Sequence, residues 1–249
     1  MAASLRAGPY AWRVSEPRHP RSSDEELLEA ETSAILAELT DAQRLLRIQD
    51  ELRNGFHALS RIGKAVSIFG SARTPRDDPR YEQARALAQR LGEEGFSIIT
   101  GGGPGIMEAA NRGARDAGVP SVGLGIELPH EQGMNEFVDL GLNFHYFFTR
   151  KVMFVRYASG FVVFPGGFGT MDEMFEAATL RQTEKIRYFP IVLVGSDYWS
   201  GLTDWLRDSM LAARYIGEED LEAIAVCDDP DRVVEIVEDV EHRRPRRAA

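Results

Sequence analysis

A single cysteine, Cys227, stands among 249 residues, so no internal disulfide framework exists and a reducing, cytoplasmic setting is expected. Lysine is also scarce, occurring only at Lys64, Lys151 and Lys185. No apolar run reaches the roughly 18 residues that a membrane span requires, so no membrane partner is expected. Ala2 to Pro20 is interrupted by arginines, prolines and Glu16, and lacks the apolar core of a secretory signal. The chain has 29 basic residues against 39 acidic ones, a formal net charge of -10. That balance argues against a general nucleic-acid binder, yet leaves room for a local site that takes one small anion. The five histidines (His19, His57, His130, His145, His242) are scattered without ligand spacing, so neither a metal nor a cofactor is expected, and His130 and His145 read as ordinary loop or strand residues.

What is present has an ordered layout. Residues 1–22 read as a disordered arm, with Pro9, Pro17 and Pro20 and little apolar content. Residues 23–62 read as a helical extension. Ser23 followed by acidic residues opens one helix, and Asp41 to Ser60 forms a second, with Leu45, Leu46, Ile48, Leu52, Phe56 and Leu59 at helical spacing. From 63 to 241 short apolar runs alternate with helical patterns. The strands expected are Ala65–Gly70, Phe96–Thr100, Ser121–Ile126, Phe144–Phe148, Phe161–Phe164, Ile191–Val194 and Ile224–Val226. This alternation predicts an α/β fold: a doubly wound, mainly parallel, Rossmann-like sheet. Residues 242–249 form a basic tail, read as a solvated end.

In such sheets ligands bind beyond the carboxyl ends of the strands. Three strand-to-helix turns sit there: Gly70-Ser71-Ala72-Arg73, Gly101-Gly102-Gly103-Pro104-Gly105, and Pro165-Gly166-Gly167-Phe168-Gly169-Thr170. Glycine lets the backbone approach a ligand closely, and the helix start beyond it presents free N–H groups to an anion. Two such turns in one sheet point to one phosphate-bearing ligand held from two sides. Neither has the spacing of a dinucleotide fingerprint or of a Walker loop, which argues against an NAD enzyme and an ATPase.

The third turn carries more than glycine. Thr170 begins the expected helix, where its hydroxyl would cap the helix or bond a phosphate. Glu173 lies three residues on; it is either placed for a sugar and a nearby water or is a capping-box partner of Thr170. Asp172 points about 100° away around the helix and ranks below it. Arg150 and Lys151 are expected to begin the preceding helix, where the dipole disfavours cations; that cost points to a compensating anion, with two solvated bases as the alternative.

Pro165-Gly166-Gly167-Phe168-Gly169-Thr170-Met171-Asp172-Glu173 resembles the PGGxGTxxE motif of the LOG (Lonely Guy) family. Arg150-Lys151 is similar to that family's upstream pair, and Gly101 to Ala109 resembles the first glycine-rich loop of its longer bacterial members. The resemblance covers roughly Lys64 to Val240. It implies a cytokinin riboside 5′-monophosphate phosphoribohydrolase, which also cleaves AMP to free base and ribose 5-phosphate. It assigns catalysis to Arg150 and Glu173. It places Gly166, Gly167, Gly169 and Thr170 on the phosphate, with Ser71, Gly102, Gly103, Met107, Glu108 and Lys151 lining the cleft. Glu108 stands where short members have glycine, and about sixty N-terminal residues are additional. A homo-oligomer follows by resemblance: a dimer or a larger assembly such as a hexamer.

For such chemistry, Arg150 is expected to keep Glu173 ionised by lowering its pKa, or to contact the phosphate or base instead. The alternative reading is a nucleotide or molybdenum-cofactor carrier of the same fold, for which a carboxylate at the glycosidic bond has no use. The motifs leave the preferred base and the biological role, hormone production or nucleotide salvage, undefined.

Overall fold

Seven parallel strands form one sheet in this computed structural model, which describes residues 24, 27, 40–127 and 133–243. The arm, nearly all of the first expected helix, His130 and the tail beyond 243 lie outside the described residues. The elements follow in order as α1 (Asp41–Leu59), β1 (Ala65–Phe69), α2 (Pro79–Glu93), β2 (Ser97–Thr100), α3 (Ile106–Asp116), β3 (Ser121–Ile126), β4 (Leu140–Phe144), α4 (Phe147–Tyr157), β5 (Phe161–Val163), α5 (Phe168–Gln182), β6 (Ile191–Leu193), α6 (Ser196–Trp205), α7 (Glu218–Glu222), β7 (Ile224–Val226) and α8 (Pro230–Arg243). A π-helical segment, Leu206–Leu211, continues α6.

The strand order is β4-β3-β2-β1-β5-β6-β7, so the chain winds outward from β1 in one direction and returns to its other side at β5. The β1/β5 boundary is therefore the topological switch point, where a crevice opens at the carboxyl ends of the strands. Central strands are mostly apolar because helices cover both faces, and the few polar side chains in them, Ser67, Ser97, Thr100 and Ser121, are buried as well. Every residue of β1, β2, β3, β5 and β6 is buried. One core joins the sheet to α1, α4, α5 and α6 through Leu59, Met153, Phe154, Met174 and Trp199. The other joins it to α2, α3 and α8 through Leu87, Leu91, Ala110, Val233 and Val237. No helix among the described residues is long and apolar enough to cross a membrane.

Two boundaries differ from expectation and bear on the site. The fourth strand is Leu140–Phe144, not Phe144–Phe148, and alternates partly buried and exposed residues as an edge strand does. The aromatic run that reads as a strand instead leads into α4, with Tyr146 as its N-cap residue and Phe147 and Phe148 in its first turn. Arg150 and Lys151 consequently sit one turn inside α4 rather than at its start, so the N-terminal dipole is not what places cations there.

Candidate functional site

Ser71 binds the three predicted turns into one surface. Its N–H donates to the Pro165 carbonyl at 3.0 Å, and its carbonyl accepts from Ile106 N–H at 3.1 Å. Its hydroxyl accepts from Arg73 N–H at 3.0 Å and so shapes its own turn. The Gly101–Gly105 loop approaches so closely that a Cβ on Gly105, which has φ 68°, would strike the Ser71 carbonyl oxygen. A side chain is excluded there both by φ and by space.

The loop after β2 is braced by amides absent from the sequence-based site. Asn135 donates through Nδ2 to the carbonyls of Gly102 and Gly103, each at 3.0 Å, and to Asn111 Oδ1 at 3.0 Å. Asn111 is fully buried; Thr100 Oγ1 donates to its Oδ1 at 2.7 Å and itself accepts from Gly102 N–H at 2.9 Å. A polar side chain within the alanine- and glycine-rich face of α3 was the available signal for Asn111. Asn135 follows a loop with no pattern of its own. Met107 lies over the loop, its Cε close against Gly103. Glu108, in contrast, is turned toward α2: its carboxylate accepts from Tyr81 OH at 2.7 Å and Arg76 Nε at 2.6 Å.

The loop after β5 runs directly into α5, whose N-cap residue is Gly167. No side chain caps this helix, so its first N–H groups face an open turn suited to an anion. Space around Gly167 and Gly169 is clear within 4 Å of an added Cβ. Thr170 is the third residue of α5, not its cap; its side chain packs against Gly166. This removes the Thr170–Glu173 capping box as the reason for Glu173. Tyr198, on α6, donates its hydroxyl to the Gly166 carbonyl at 2.7 Å, a contact the sequence does not signal.

Glu173 is 6% exposed, and its Oε2 is buried without a hydrogen-bond partner. Lys151 Nζ lies 3.5 Å from that atom, 2.9 Å from Asp172 Oδ2 and 2.6 Å from Glu176 Oε2. Burial pushes the Glu173 carboxyl up to about 7; the Lys151 and Arg150 charges oppose the rise, and Glu176 and Asp172 add to it. The expectation that Arg150 leaves Glu173 with a lowered pKa is thus corrected. Arg150 acts in the expected direction, but desolvation outweighs it, and Lys151 is the stronger of the two cations. The Arg150 guanidinium itself lies against Gly101 and 5.1 Å from the centre of the Phe154 ring. It spans from α4 to the β2–α3 loop, while Lys151 spans from α4 to α5.

A family model described as possible lysine decarboxylase matches residues 107–237, more than half of the chain. The chain belongs to this family, the LOG family that its motifs resemble. A rice (Oryza sativa subsp. japonica) protein named as a probable cytokinin riboside 5′-monophosphate phosphoribohydrolase is 31% identical over 57% of this chain and 58% of its own length. The pyrimidine/purine nucleotide 5′-monophosphate nucleosidase of Escherichia coli K12 is 28% identical over 52% of this chain. The chain spans only 32% of that enzyme. Among solved structures, the molybdenum cofactor binding protein of Rippkaea orientalis superposes with a TM-score of 0.53 at 19% identity, covering 73% of this chain and 98% of that one. That likeness establishes the doubly wound fold.

Proposed function

We propose that this LOG-family chain hydrolyses the N-glycosidic bond of purine nucleoside 5′-monophosphates, cytokinin riboside 5′-monophosphates and AMP among them, releasing free base and ribose 5-phosphate. The observation that carries the reading is Glu173: a buried carboxyl with an unbonded oxygen, one turn inside a helix whose uncapped start faces a glycine turn. The 5′-phosphate sits on the N–H groups at the start of α5, beside Gly166, Gly167, Gly169 and Thr170. Binding energy from this remote group positions the ribose for reaction.

Cleavage of the C1′–N bond develops positive charge on the ribose, which an ionised Glu173 stabilises. A carboxyl with a pKa near 7 is also matched to accept a proton from the attacking water at neutral pH. The water oxygen bonds to C1′, its proton passes to Glu173, and the base leaves with the electron pair of the broken bond and takes up a proton from solvent, to which Glu173 returns its own. Lys151 and Arg150 hold Glu173 within reach of its ionised form. Met107 and the loop after β2 form the wall near the base. Glu108 braces that wall through Tyr81 and Arg76 instead of contacting the ligand.

The names of the rice and Escherichia coli relatives support the bond class. A molybdenum-cofactor carrier is the competing reading and draws on the fold alone. It leaves the buried Glu173–Lys151 pair without a task. Exposed Phe147, Phe148 and Val152 on α4, with Phe168 at 95% exposure on α5, support a homo-oligomer that covers them. The test is incubation with AMP, isopentenyl-AMP and the matching nucleosides, with free base and ribose 5-phosphate as readouts. Release of both from monophosphates is expected. Binding of a pterin phosphate with no base released from any monophosphate overturns the reading in favour of a carrier.

A further inference from the structure

The helix α1 precedes the segment matched by the family model, and the sequence offers it as either a helical cap on the domain or an oligomer arm. Its contacts give it another task. Glu51, near the middle of α1, is 8% exposed. Its carboxylate accepts from His145 N–H at 2.9 Å and Thr149 Oγ1 at 2.6 Å, and faces His145 Nδ1 at 2.8 Å. His145 Nε2 in turn lies 3.1 Å from Glu127 Oε2 beyond β3. Further along, Gly55 packs directly against Met153, Tyr157 OH donates to the Phe56 carbonyl at 3.1 Å, and the Arg156 guanidinium lies 4.7 Å from the centre of the Phe56 ring. Residues 145, 149, 153, 156 and 157 recur at helical spacing, so α1 grips α4 along one continuous stripe.

An apolar residue would suffice at position 51 if packing alone were required. Burying a carboxylate is costly unless its oxygens are bonded, and here both oxygens are committed to the start of α4. The residues immediately after Thr149 are Arg150 and Lys151. We propose that Glu51 is a positioning residue for the active site: through His145 and Thr149 it fixes the rotation and axial position of α4, and so holds Arg150 against the β2–α3 loop and Lys151 against Glu173. The kinetic consequence rests on the hydrolase reading above; the structural consequence does not.

The test uses Glu51→Ala and Thr149→Val in the full chain. Thr149→Val keeps the side-chain volume and changes no charge. Base release from AMP gives kcat and KM, and 13C NMR follows the titration of the Glu173 carboxyl, assigned by its absence in Glu173→Gln. The charges acting on Glu173 are Lys151 and Arg150 on α4, and Asp172 and Glu176 on α5. Removing the Glu51 charge would by itself lower the Glu173 pKa, whereas withdrawal of Lys151 and Arg150 raises it. The expected result is an upward shift of about half a pH unit or more in both variants. It is accompanied by a roughly tenfold loss in kcat with KM changed about twofold or less. An unmoved or lowered titration in folded Thr149→Val and Glu51→Ala overturns the proposal. If the parent chain releases no base but the titration still rises, the hydrolase reading fails and the positioning role stands; base release with an unmoved titration gives the reverse.

Discussion

Lys151 Nζ stands 3.5 Å from Glu173 Oε2, an oxygen that is buried and receives no hydrogen bond. The lysine also serves Asp172 and Glu176, so one cation is shared among three carboxylates. Such a cluster leaves Glu173 only partly compensated, and its carboxyl titrates at about 7. Local stability is thereby lost at a position where a proton acceptor matched to neutral pH is gained.

That loss is measurable. For an acid whose folded pKa is raised, the native state binds the extra proton between the ordinary value and the raised one. The penalty is absent below about 4.5 and complete above about 7. Its size is on the order of 3 kcal/mol. Glu173→Gln is therefore expected to abolish turnover while stabilising the fold at pH 8 by about 1–3 kcal/mol, with the advantage shrinking toward pH 5. Thermal unfolding of both proteins at the two pH values checks this. A Glu173→Gln protein less stable than the parent at pH 8 would show that the carboxylate is well compensated after all.

The pH dependence of catalysis follows from the same group. If ionised Glu173 is the working form, kcat/KM rises with pH through an apparent pKa of about 7 and then levels. Lys151→Ala removes the stronger of the two charges that favour the carboxylate, so the rise should move to higher pH. Initial rates from pH 5 to 9 decide the matter, and a shift toward lower pH would remove Lys151 from this role.

Tyr198 makes a different kind of contribution. Its hydroxyl holds the Gly166 carbonyl at 2.7 Å. In a trans peptide the N–H of Gly167 points opposite to that carbonyl, so the tyrosine also fixes the direction of one amide in the turn proposed to hold the phosphate. The α6 start that carries Tyr198 is itself secured, with Asp228 accepting from the N–H groups of Gly195 and Ser196 and from the Ser196 hydroxyl. Tyr198→Phe should raise KM for AMP about fivefold, near 1 kcal/mol, and leave kcat almost unchanged. Steady-state kinetics separate the two constants; an unaltered KM would show that the turn keeps its shape unaided.

The sheet was legible because the strands other than β4 are short, mostly apolar runs between turn residues, the pattern expected of strands buried on both faces, as β1, β3 and β5 are. It misplaced β4 because Leu140 to Phe144 contains Gly141 and Asn143, while the adjoining His145 to Phe148 is richer in aromatic residues yet turns into a helix. The short helix α7 carried no legible apolar stripe. Glycine turns, Glu173 and the Arg150–Lys151 pair are local in sequence and were visible. The tyrosine on Gly166, the Glu51 brace and the amide pair Asn111–Asn135 join residues 24 to 98 positions apart, and nothing in a linear motif reports such contacts.

The amide pair offers the sharpest separation of scaffold from chemistry. Asn135 Nδ2 donates to two carbonyls of the Gly101–Gly105 loop and to Asn111, and its backbone N–H donates to Gly102 O at 2.8 Å. Replacing Asn135 with Ala removes the side-chain bonds and leaves the buried Asn111 oxygen with Thr100 as its remaining donor. The cost to stability should be about 1–3 kcal/mol. The loop also carries the face that meets Arg150, so its loosening should reduce kcat/KM for AMP by about tenfold. The Glu173 carboxyl is on α5, and its stronger cation, Lys151, reaches it from α4 rather than from this loop, so the apparent pKa near 7 in the rate profile should move by no more than the weaker Arg150 contribution. Denaturant unfolding together with a pH–rate profile tests both halves. A displaced profile in Asn135→Ala would show that the two walls of the cleft move as one body rather than as separately braced loops.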